Sequence, residues 1–154
     1  MKTTIRQGSI EDWRTIQKLN VCVFADNLQY DKHQDLNWSG SDDGAHFYKK
    51  QLGDPDTICL IAEQEGESIG YIVASPKEVE YRIRKTYEIQ HMGVAPDHRS
   101  QGIGSMLMRE LKKKCKEAGC DSLYVSVYFK NKSGIQFYEK SGFIPIDMGM
   151  EVSI

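Results

Sequence analysis

A glycine pair at the start of a predicted helix is the sharpest chemical signal in this sequence. The segment 94–107 reads VAPDHRSQGIGSML, in which a strand ends, a charged turn follows and a helix begins. Gly102 and Gly104 have no side chains, so their backbone N–H groups allow close approach of a ligand. Such a helix N-terminus favours an anion, and Arg99 adds forked donors. The segment predicts a phosphate or pyrophosphate site; a ligand-free helix start is the alternative.

A second candidate lies further along the chain, in NKSGIQFYEKSGF at 131–143. Asn131 is placed to cap a helix, and Tyr138 follows two helical turns later on the same face. Gly134 falls between them and leaves room for a molecule to lie across that face. The spacing indicates a binding face with a tyrosine hydroxyl. The alternative interpretation is that Phe137 and Tyr138 are core aromatic residues.

Hydrophobic periodicity predicts the elements that position these residues. Strands are indicated at 3–7, 57–63, 68–75, 79–87, 87–95 and 122–129, with a last strand from Phe143. Helices are indicated at 10–25, 44–52, 102–118 and 131–141. Ser9 and Asp12 form a capping-box pattern before the first helix. The order predicts an α/β (α+β) fold, with one domain over 1–154 and a central mixed sheet flanked by helices.

Composition and charge argue against several classes of protein. The chain has 154 residues and a formal net charge of -2, so no strong basic field is expected to attract nucleic acid. No apolar run approaches the roughly 20 residues of a membrane span, and no signal-peptide pattern opens the sequence. Four cysteines without a CxxC pair, and histidines without ligand spacing, argue against a metal site. We expect a cytoplasmic protein without a metal; a homodimer is compatible with the sequence.

Together, the two motifs resemble those of the GNAT superfamily, the acyl-CoA-dependent N-acetyltransferases. The family signature R/Q-x-x-G-x-G/A is similar to RSQGIG at 99–104. The later signature N-x-x-(small)-x-x-x-Y-E-K-x-G-F is similar to the segment that contains Asn131, Gly134, Tyr138 and Phe143. The resemblance covers the whole chain. It implies a GNAT-like fold with a mostly antiparallel sheet, an acyltransferase activity and acetyl-CoA as the acyl donor.

The resemblance also implies a role for each matching position. The backbone of Met92, Gly93 and Val94 would pair with the pantetheine arm as an added strand, and Asn131 would hydrogen-bond it. Tyr138 would direct its hydroxyl at the thioester sulfur as a general acid. The Val94 N–H is the candidate donor to the oxyanion. The pyrophosphate would bind the helix-start loop, namely Arg99, Ser100, Gln101, Gly102, Ile103, Gly104 and Ser105.

The acceptor must lose a proton, because an amine with a pKa near ~10 is almost fully protonated at neutral pH. Glu88 lies eleven residues before Arg99, a spacing similar to that of the catalytic glutamate in histone-acetylating members of the family. It would act through water, with a solvated carboxylate as the alternative. In the branch that acetylates protein N-termini, the glutamate lies on the following strand, where this chain has Ser126. Regular alternation places His91 on the strand face opposite Glu88.

The predicted loop at 26–43 is the candidate acceptor site, because in the family the segment between the first two helices contributes to that site. It contains five aspartates together with Tyr30 and Trp38. Carboxylates and aromatic rings suit a cationic amine, and we select Tyr30, Asp31 and Asp35 as candidates. A solvated loop is the alternative. The sequence thus predicts acetyl transfer to a primary amine, favouring a small cationic one, by direct attack in a ternary complex.

Two other functions are compatible with the sequence. One is a protein acetyltransferase that acts on lysine or on an N-terminus. The other is a non-catalytic acyl-CoA-binding regulatory module, which would keep the 99–104 motif and lose the groups that transfer protons. Glu88 and Tyr138 are both present, and this favours an enzyme.

Overall fold

The computed structural model describes the whole chain, residues 1–154, and contains one five-stranded sheet with four α-helices. The strands are β1 (Thr3–Gln7), β2 (Ile58–Gln64), β3 (Glu67–Lys77), β4 (Thr86–Val94) and β5 (Ser122–Val125). The helices are α1 (Trp13–Asn27), α2 (Asp42–Gly53), α3 (Ile103–Glu117) and α4 (Lys132–Lys140). The strands lie side by side in chain order, from β1 at one edge to β5 at the other. None of the helices combines the length and the apolar character that crossing a membrane requires.

Only the last pair of strands is parallel. Neighbouring strands from β1 to β4 are antiparallel, whereas β5 reaches β4 through a crossover that contains α3. The parallel ladder is short, because it joins only residues 86–89 to β5. Beyond Ile89 the two strands diverge, so one edge of β4 is left without a strand partner. This mixed, mostly antiparallel sheet with flanking helices confirms the predicted fold class.

A β-bulge interrupts β4 at Gln90. The pairing register with β3 skips Gln90, which is an extra residue between Ile89 and His91. Side chains change faces at the bulge, since Ile89 and Met92, three residues apart, pack into the same hydrophobic cluster. The predicted regular alternation is therefore wrong here. Glu88 and His91 lie on one face of the sheet, opposite that cluster.

Most helices begin at residues whose side chains satisfy free backbone N–H groups. Ser9 and Asp12 form the predicted capping box before α1, and the Ser9 N–H donates to Asp12 Oδ2 at 2.8 Å. Ser41 Oγ accepts from the Gly44 N–H at 3.1 Å at the start of α2. The N-terminus of α3 has no side-chain cap. Its first N–H groups are open to a ligand.

Two hydrophobic clusters hold the helices on opposite faces of the sheet. Leu107, Leu111 and Cys115 of α3 are buried on one face, as their four-residue spacing predicts. On the other face, α1 and α2 bury Ile16 and Tyr48. Full burial of one large apolar side chain contributes roughly 1.5–3 kcal/mol to stability. The helices that border the functional site are thus fixed by the core.

Three segments with strand-like sequences differ from the prediction. Residues 78–85 form no strand, and the side chain of Ile83 is fully exposed. Strand β5 ends at Val125 instead of 129, because β4 has moved away at that point. The segment 143–154, predicted to begin a last strand, has no regular secondary structure. In each case no neighbouring strand completes the backbone hydrogen bonds, which an isolated segment cannot supply.

The connection between α1 and α2 is shorter than predicted. Helix α1 continues to Asn27 and α2 begins at Asp42, so the loop spans 28–41 instead of 26–43. Turns occupy most of this loop. Its ends are therefore set by two rigid helices, which limits where its side chains reach.

Candidate active site

A cleft of about 780 Å³ opens where β4 and β5 diverge. One wall is β4 from residue 89 to 94, and the facing wall is the chain at 125–128. The N-termini of α3 and α4 border one end, and side chains of α1 and α2 line the other. This space, named here the β4–β5 cleft, joins residues as distant in sequence as Asn20 and Tyr138.

Most of the predicted cofactor-binding residues line the β4–β5 cleft. They are Met92, Gly93, Val94, Arg99, Ser100, Gly102, Ile103, Gly104, Ser105, Asn131 and Tyr138. Gln101 does not line it, because its side-chain amide donates to the Asp97 carbonyl at 3.2 Å in the preceding turn. The two sequence motifs therefore line the same cleft.

The turn before α3 has a shape that suits an anion. Gly102 (φ 80°) and Ser100 (φ 61°) have left-handed backbone conformations, and α3 has no side-chain cap. The N–H groups of the first helical turn are free to donate, and the helix dipole adds partial positive charge. Gly104 lies against α4, where an added Cβ would be 3.3 Å from the Phe137 ring. A large side chain at this position would fill the space between the two helices.

Arg99 is held at the edge of the cleft by two contacts. Its Nε donates to the Val94 carbonyl at 3.0 Å, and its Nη2 lies 2.7 Å from Asp26 Oδ2. The Arg99 and Asp26 side chains are 40% and 48% exposed, so solvent screens their attraction. Exposed ion pairs of this kind contribute about 0–1 kcal/mol. An entering phosphate can therefore replace Asp26 as the partner of the guanidinium.

One of the two polar groups in the Asn131 side chain remains available to a ligand. Its Oδ1 caps α4 by accepting from the Gly134 N–H at 2.9 Å, and it also accepts from the Tyr30 hydroxyl at 3.3 Å. The amide nitrogen is not used in either contact. An added Cβ at Gly134 would lie 2.5 Å from that nitrogen, so glycine is required for this cap geometry.

Tyr138 is held between two aromatic rings at the cleft. Its ring centroid lies 5.2 Å from that of Phe137 and 5.4 Å from that of Phe143, both in edge-on geometry. Burial raises the pKa of Tyr138 to about 12. The phenol is therefore neutral at physiological pH and keeps the proton that a general acid must donate.

Glu88 does not line the cleft. Its Oε2 accepts from Lys77 Nζ at 3.1 Å, and it lies opposite Tyr124 in the parallel ladder, before the strands diverge. Any proton that leaves the cleft for Glu88 has to pass through water or another group. The structure thus brings the other predicted catalytic residue, Tyr138, into the cleft, and leaves Glu88 outside it.

His91 is the titratable β4 side chain that lines the cleft, and regular alternation misses it. Its Nε2 lies 2.6 Å from Gln51 Oε1, so Nε2 carries the proton and Nδ1 is an open acceptor. Burial lowers the pKa of His91 to about 3, which keeps the imidazole neutral. The Nδ1 atom, Asn20 Oδ1 and the Tyr71 hydroxyl are all buried without partners. Such groups predict bound water or a polar ligand.

Two of the three predicted acceptor residues reach the mouth of the cleft. Tyr30 stacks on Tyr128 with ring centroids 5.9 Å apart, and Asp31 Oδ2 accepts from the Tyr128 hydroxyl at 3.3 Å. Tyr128 itself lines the cleft. Asp35 Oδ1 instead accepts from the Asn37 N–H at 3.0 Å, a contact within the loop. Asp35 is therefore part of the loop structure and not of the cleft.

Four aromatic side chains line the end of the cleft formed by α1, α2 and the loop between them: Phe24, Trp38, Phe47 and Tyr48. The Trp38 ring lies 5.8 Å from that of Phe24 and 5.4 Å from that of Phe47. The sequence pattern indicated Trp38 and not the other three. Their positions on amphipathic helices are typical of core residues, and no sequence signal distinguishes them from the core.

Comparison with known proteins identifies the family. The sequence profile of the Acetyltransferase (GNAT) family matches residues 14–143. The chain therefore belongs to the GNAT family and is an acyltransferase, which confirms the resemblance drawn from the two motifs. Enzymes of this family use acetyl-CoA as the acetyl donor.

Relatives in the family differ in their acceptors. The N-alpha-acetyltransferase of Sulfurisphaera tokodaii is 24% identical over 147 residues, which are 90% of this chain and 78% of that protein. The aminoalkylphosphonate N-acetyltransferase of Salmonella typhimurium is 25% identical over 139 residues, 90% of this chain and 83% of that protein. An uncharacterised N-acetyltransferase of Bacillus subtilis is 27% identical over 97 residues, 63% of this chain and 65% of that protein.

Solved structures match the fold over its whole length. A mutant protein from Bacillus halodurans has a TM-score of 0.85 at 18% identity, covering 98% of this chain and 99% of that one. The protein AAC(6')-Iy, in complex with the bisubstrate analogue CoA-S-monomethyl-acetylneamine, has a TM-score of 0.76 at 16% identity, covering 100% of this chain and 99% of that one. At these identities the likeness establishes the fold alone.

Proposed function

We propose that this enzyme transfers the acetyl group of acetyl-CoA to a small cationic primary amine, by direct attack in a ternary complex. The observation that carries the proposal is that one cleft is bordered both by the uncapped N-terminus of α3 and by the aromatic rings of α1 and α2. The first end suits a pyrophosphate, and the second suits an organic cation. We also propose that residues 1–154 act as one catalytic domain in the cytoplasm, without a metal.

The donor end would hold acetyl-CoA at three places. The pyrophosphate would accept hydrogen bonds from the N–H groups of the 99–105 turn, with Arg99 beside it. The pantetheine arm would lie along residues 92–94, whose edge facing β5 has no strand partner. The amide nitrogen of Asn131 would donate to a pantetheine carbonyl. The common position of these groups around one cleft supports the assignment.

In the proposed reaction the neutral amine nitrogen attacks the thioester carbonyl carbon, and the C–S bond breaks as the amide forms. A backbone N–H, with Val94 as the candidate, would stabilise the oxyanion of the tetrahedral intermediate. Tyr138 would protonate the CoA thiolate and recover its proton from solvent, a role that contributes about 10²–10⁴-fold in rate. No cysteine lines the cleft, which supports direct attack over an acyl-enzyme.

Deprotonation of the acceptor is assigned to Glu88. It would act through water, because it is paired with Lys77 outside the cleft. His91 is closer to the acceptor end, but a pKa of about 3 makes it a weak base. The Glu88→Gln variant should lose kcat mainly at neutral pH and recover part of it as the pH rises and free amine becomes abundant. Glu80→Gln, in the exposed loop before β4, is the control. A pH–rate profile identical to wild type would exclude Glu88 as the base.

The proposed acceptor class is supported by the side chains at the acceptor end. Trp38 and Phe47 offer aromatic faces, and Asp31 supplies negative charge at the mouth. A small amine is also supported by two of the compared proteins, one named for an aminoalkylphosphonate and one bound to an acetylneamine conjugate. The contact between Tyr30 and Asn131 narrows the mouth, which favours a small molecule over a protein chain.

A protein acetyltransferase acting on lysine or on an N-terminus is the second candidate. It is supported by the similarity to an N-alpha-acetyltransferase over 90% of the chain. Ser126 weighs against it, because the branch that acetylates protein N-termini has a glutamate at that position. The two candidates share the same donor site and differ only at the acceptor end.

A CoA-release assay with acetyl-CoA separates these functions. The acceptors to compare are polyamines, aminoglycosides, amino acids and peptides with free N-termini or lysines. We expect the highest kcat/KM for a small molecule with more than one positive charge. The highest value for a peptide would favour the protein acetyltransferase. Tight acetyl-CoA binding by calorimetry without CoA release for any acceptor would contradict both.

A further inference from the structure

Two buried hydrogen-bond acceptors line the acceptor end of the β4–β5 cleft without a partner. They are Asn20 Oδ1 on α1, in a residue only 3% exposed, and His91 Nδ1 on β4. The Tyr71 hydroxyl is also without a partner, but Tyr71 does not line the cleft, and His98 Nδ1 lies next to Arg99 in the donor turn. Buried polar atoms are normally hydrogen-bonded, so the pair at the acceptor end calls for a molecule that donates to it.

Neighbouring side chains hold both acceptors in place. His91 Nε2 donates to Gln51 Oε1 of α2 at 2.6 Å, which leaves the lone pair of the ring on Nδ1. The His91 ring packs edge-on against that of Tyr48 with centroids 5.6 Å apart, and Asn20 lies beside the Tyr48 hydroxyl. That hydroxyl is paired with Ser39 Oγ at 2.9 Å. Tyr48 thus adjoins both residues, which places the two acceptors at the same end of the cleft.

This end of the cleft has no negative charge that would favour an ammonium group. No Asp or Glu lines the cleft, and Asp31 lies at its mouth. Asn20 is uncharged, and burial lowers the pKa of His91 to about 3, so its ring is neutral. An ammonium at this depth would lose its hydration without gaining a counter-ion, which costs far more than burying a neutral amine. The interior of the cleft therefore favours the amine after it has lost its proton.

A neutral primary amine matches this pair of acceptors. Its nitrogen has two N–H groups and one lone pair. Donation of the two N–H groups to Asn20 Oδ1 and His91 Nδ1 leaves the lone pair free to attack the thioester carbon. A secondary amine has one N–H and would leave one of the two acceptors unsatisfied. A site that is built to hydrogen-bond a group discriminates strongly against an analogue that lacks it.

We propose that Asn20 Oδ1 and His91 Nδ1 bind the attacking nitrogen of the acceptor and select primary over secondary amines. This inference rests on the proposed acetyl transfer to an amine. His91 binds the nitrogen and does not remove its proton, a step assigned to Glu88. Gln51 is a positioning residue, since it keeps the ring proton on Nε2. A leucine at position 20 would fill a similar volume in α1 without a buried polar atom, so binding explains this asparagine better than packing does.

A CoA-release assay with matched amines tests the proposal on the full chain. The pair to compare is the best acceptor of the panel above and its N-methyl secondary derivative. Asn20→Leu and His91→Phe should each lower kcat/KM for the primary amine roughly 10-fold or more and reduce the primary-to-secondary ratio, with little change in acetyl-CoA affinity. Tyr71→Phe is the matched control, because it removes an unpartnered buried hydroxyl that does not line the cleft. It should keep the wild-type ratio.

Nitrogen NMR of the unaltered protein tests the contact without a variant. The protein carries ¹⁵N-labelled histidine and bound CoA, which has no acetyl group to transfer. Adding the primary amine at constant pH should move the Nδ1 signal of His91 toward that of a hydrogen-bonded nitrogen, and leave the signals of the exposed His33 and His46 unchanged. An unmoved His91 signal, or a wild-type ratio in both folded variants, would overturn this inference alone. Absence of CoA release with every amine would overturn the proposed function together with it.

Discussion

The two ends of the β4–β5 cleft are built from different parts of the polypeptide. The proposed donor end consists mainly of backbone: the left-handed turn at Gly102, the uncapped N-terminus of α3 and the unpaired edge of β4. The proposed acceptor end consists of side chains, among them Phe24, Trp38 and Phe47. A site made of backbone suits the pyrophosphate and pantetheine groups, which are the same in every CoA molecule. The side chains of the other end can differ from one protein to another without a change of fold. This explains why the family can be read from the sequence and the acceptor cannot.

The two ends also differ in the exposure and the hydrogen bonding of their polar side chains. At the donor end Arg99 and Asp26 are partly exposed and exchange partners at little cost. At the acceptor end Asn20 Oδ1 and His91 Nδ1 are buried without partners, whereas beside the donor turn only His98 Nδ1 is. Unsatisfied buried groups cost about 1–3 kcal/mol each, so the acceptor end has more to gain from a bound polar ligand or water.

The largest effect is expected at the donor end. Gly104→Phe would push a ring into Phe137, since an added Cβ would already be 3.3 Å away, and the turn could not approach the pyrophosphate. Acetyl-CoA affinity measured by calorimetry should fall about 100-fold or more, because several hydrogen bonds of about 0.5–1.5 kcal/mol are lost together. Gly40→Phe, at an exposed position outside the cleft, should bind normally. Unchanged affinity in a folded Gly104→Phe variant would place the donor elsewhere.

Buried His91, at the acceptor end, should make the folded state less stable at acidic pH. Burial lowers the pKa of His91 from 6.5 to about 3, so between these values the unfolded chain binds a proton that the folded chain does not. Stability therefore rises with pH in this window, and linkage gives a loss of about 2 kcal/mol between neutral pH and pH 5. Urea unfolding at the two pH values measures this loss. His91→Gln should remove most of it and His33→Gln, at an exposed position, should not; an equal loss in both variants would contradict the assignment.

Tyr138 lines the cleft together with residues of both ends, and its hydroxyl should affect the chemical step more than binding. Tyr138→Phe removes one hydroxyl and keeps the ring between Phe137 and Phe143, so kcat should fall roughly 10-fold or more with little change in acetyl-CoA affinity. Tyr81→Phe, at a position 91% exposed, is the matched control. Full activity of Tyr138→Phe at saturating substrates, with chemistry limiting the rate, would remove Tyr138 from the mechanism.

The smallest effect is expected from the charges at the mouth of the acceptor end. Asp31→Lys should raise the KM of a cationic acceptor by roughly 3–10-fold at low ionic strength and by less at high salt, because salt screens charges near the surface. Asp35→Lys changes the same charge within the loop, away from the cleft, and should have a weaker effect. Equal KM values for both variants and wild type, at any ionic strength, would show that charge at this mouth does not select the acceptor.

Local patterns were enough to predict the elements and residues of the proposed donor end. The four-residue spacing of Leu107, Leu111 and Cys115 located α3 and its buried face, because helical periodicity is a property of the segment itself. Gly102 and Gly104 marked the candidate anion site, since residues without side chains let a ligand approach the backbone closely. The capping box at Ser9 and Asp12 marked the start of the first helical region in the same way.

Tertiary structure alone decided the features that depend on a neighbouring strand. The bulge at Gln90 exists only in the pairing of β4 with β3, yet it places His91 on the same face as Glu88, whereas regular alternation would place the two on opposite faces. The divergence of β4 and β5 ended β5 at Val125 and opened the cleft, although the residues that follow are strand formers. The segment 143–154 has a strand pattern without a strand. The physical reason is the same in each case: a strand forms where a second strand completes its hydrogen bonds, and a segment's own residues do not specify that partner.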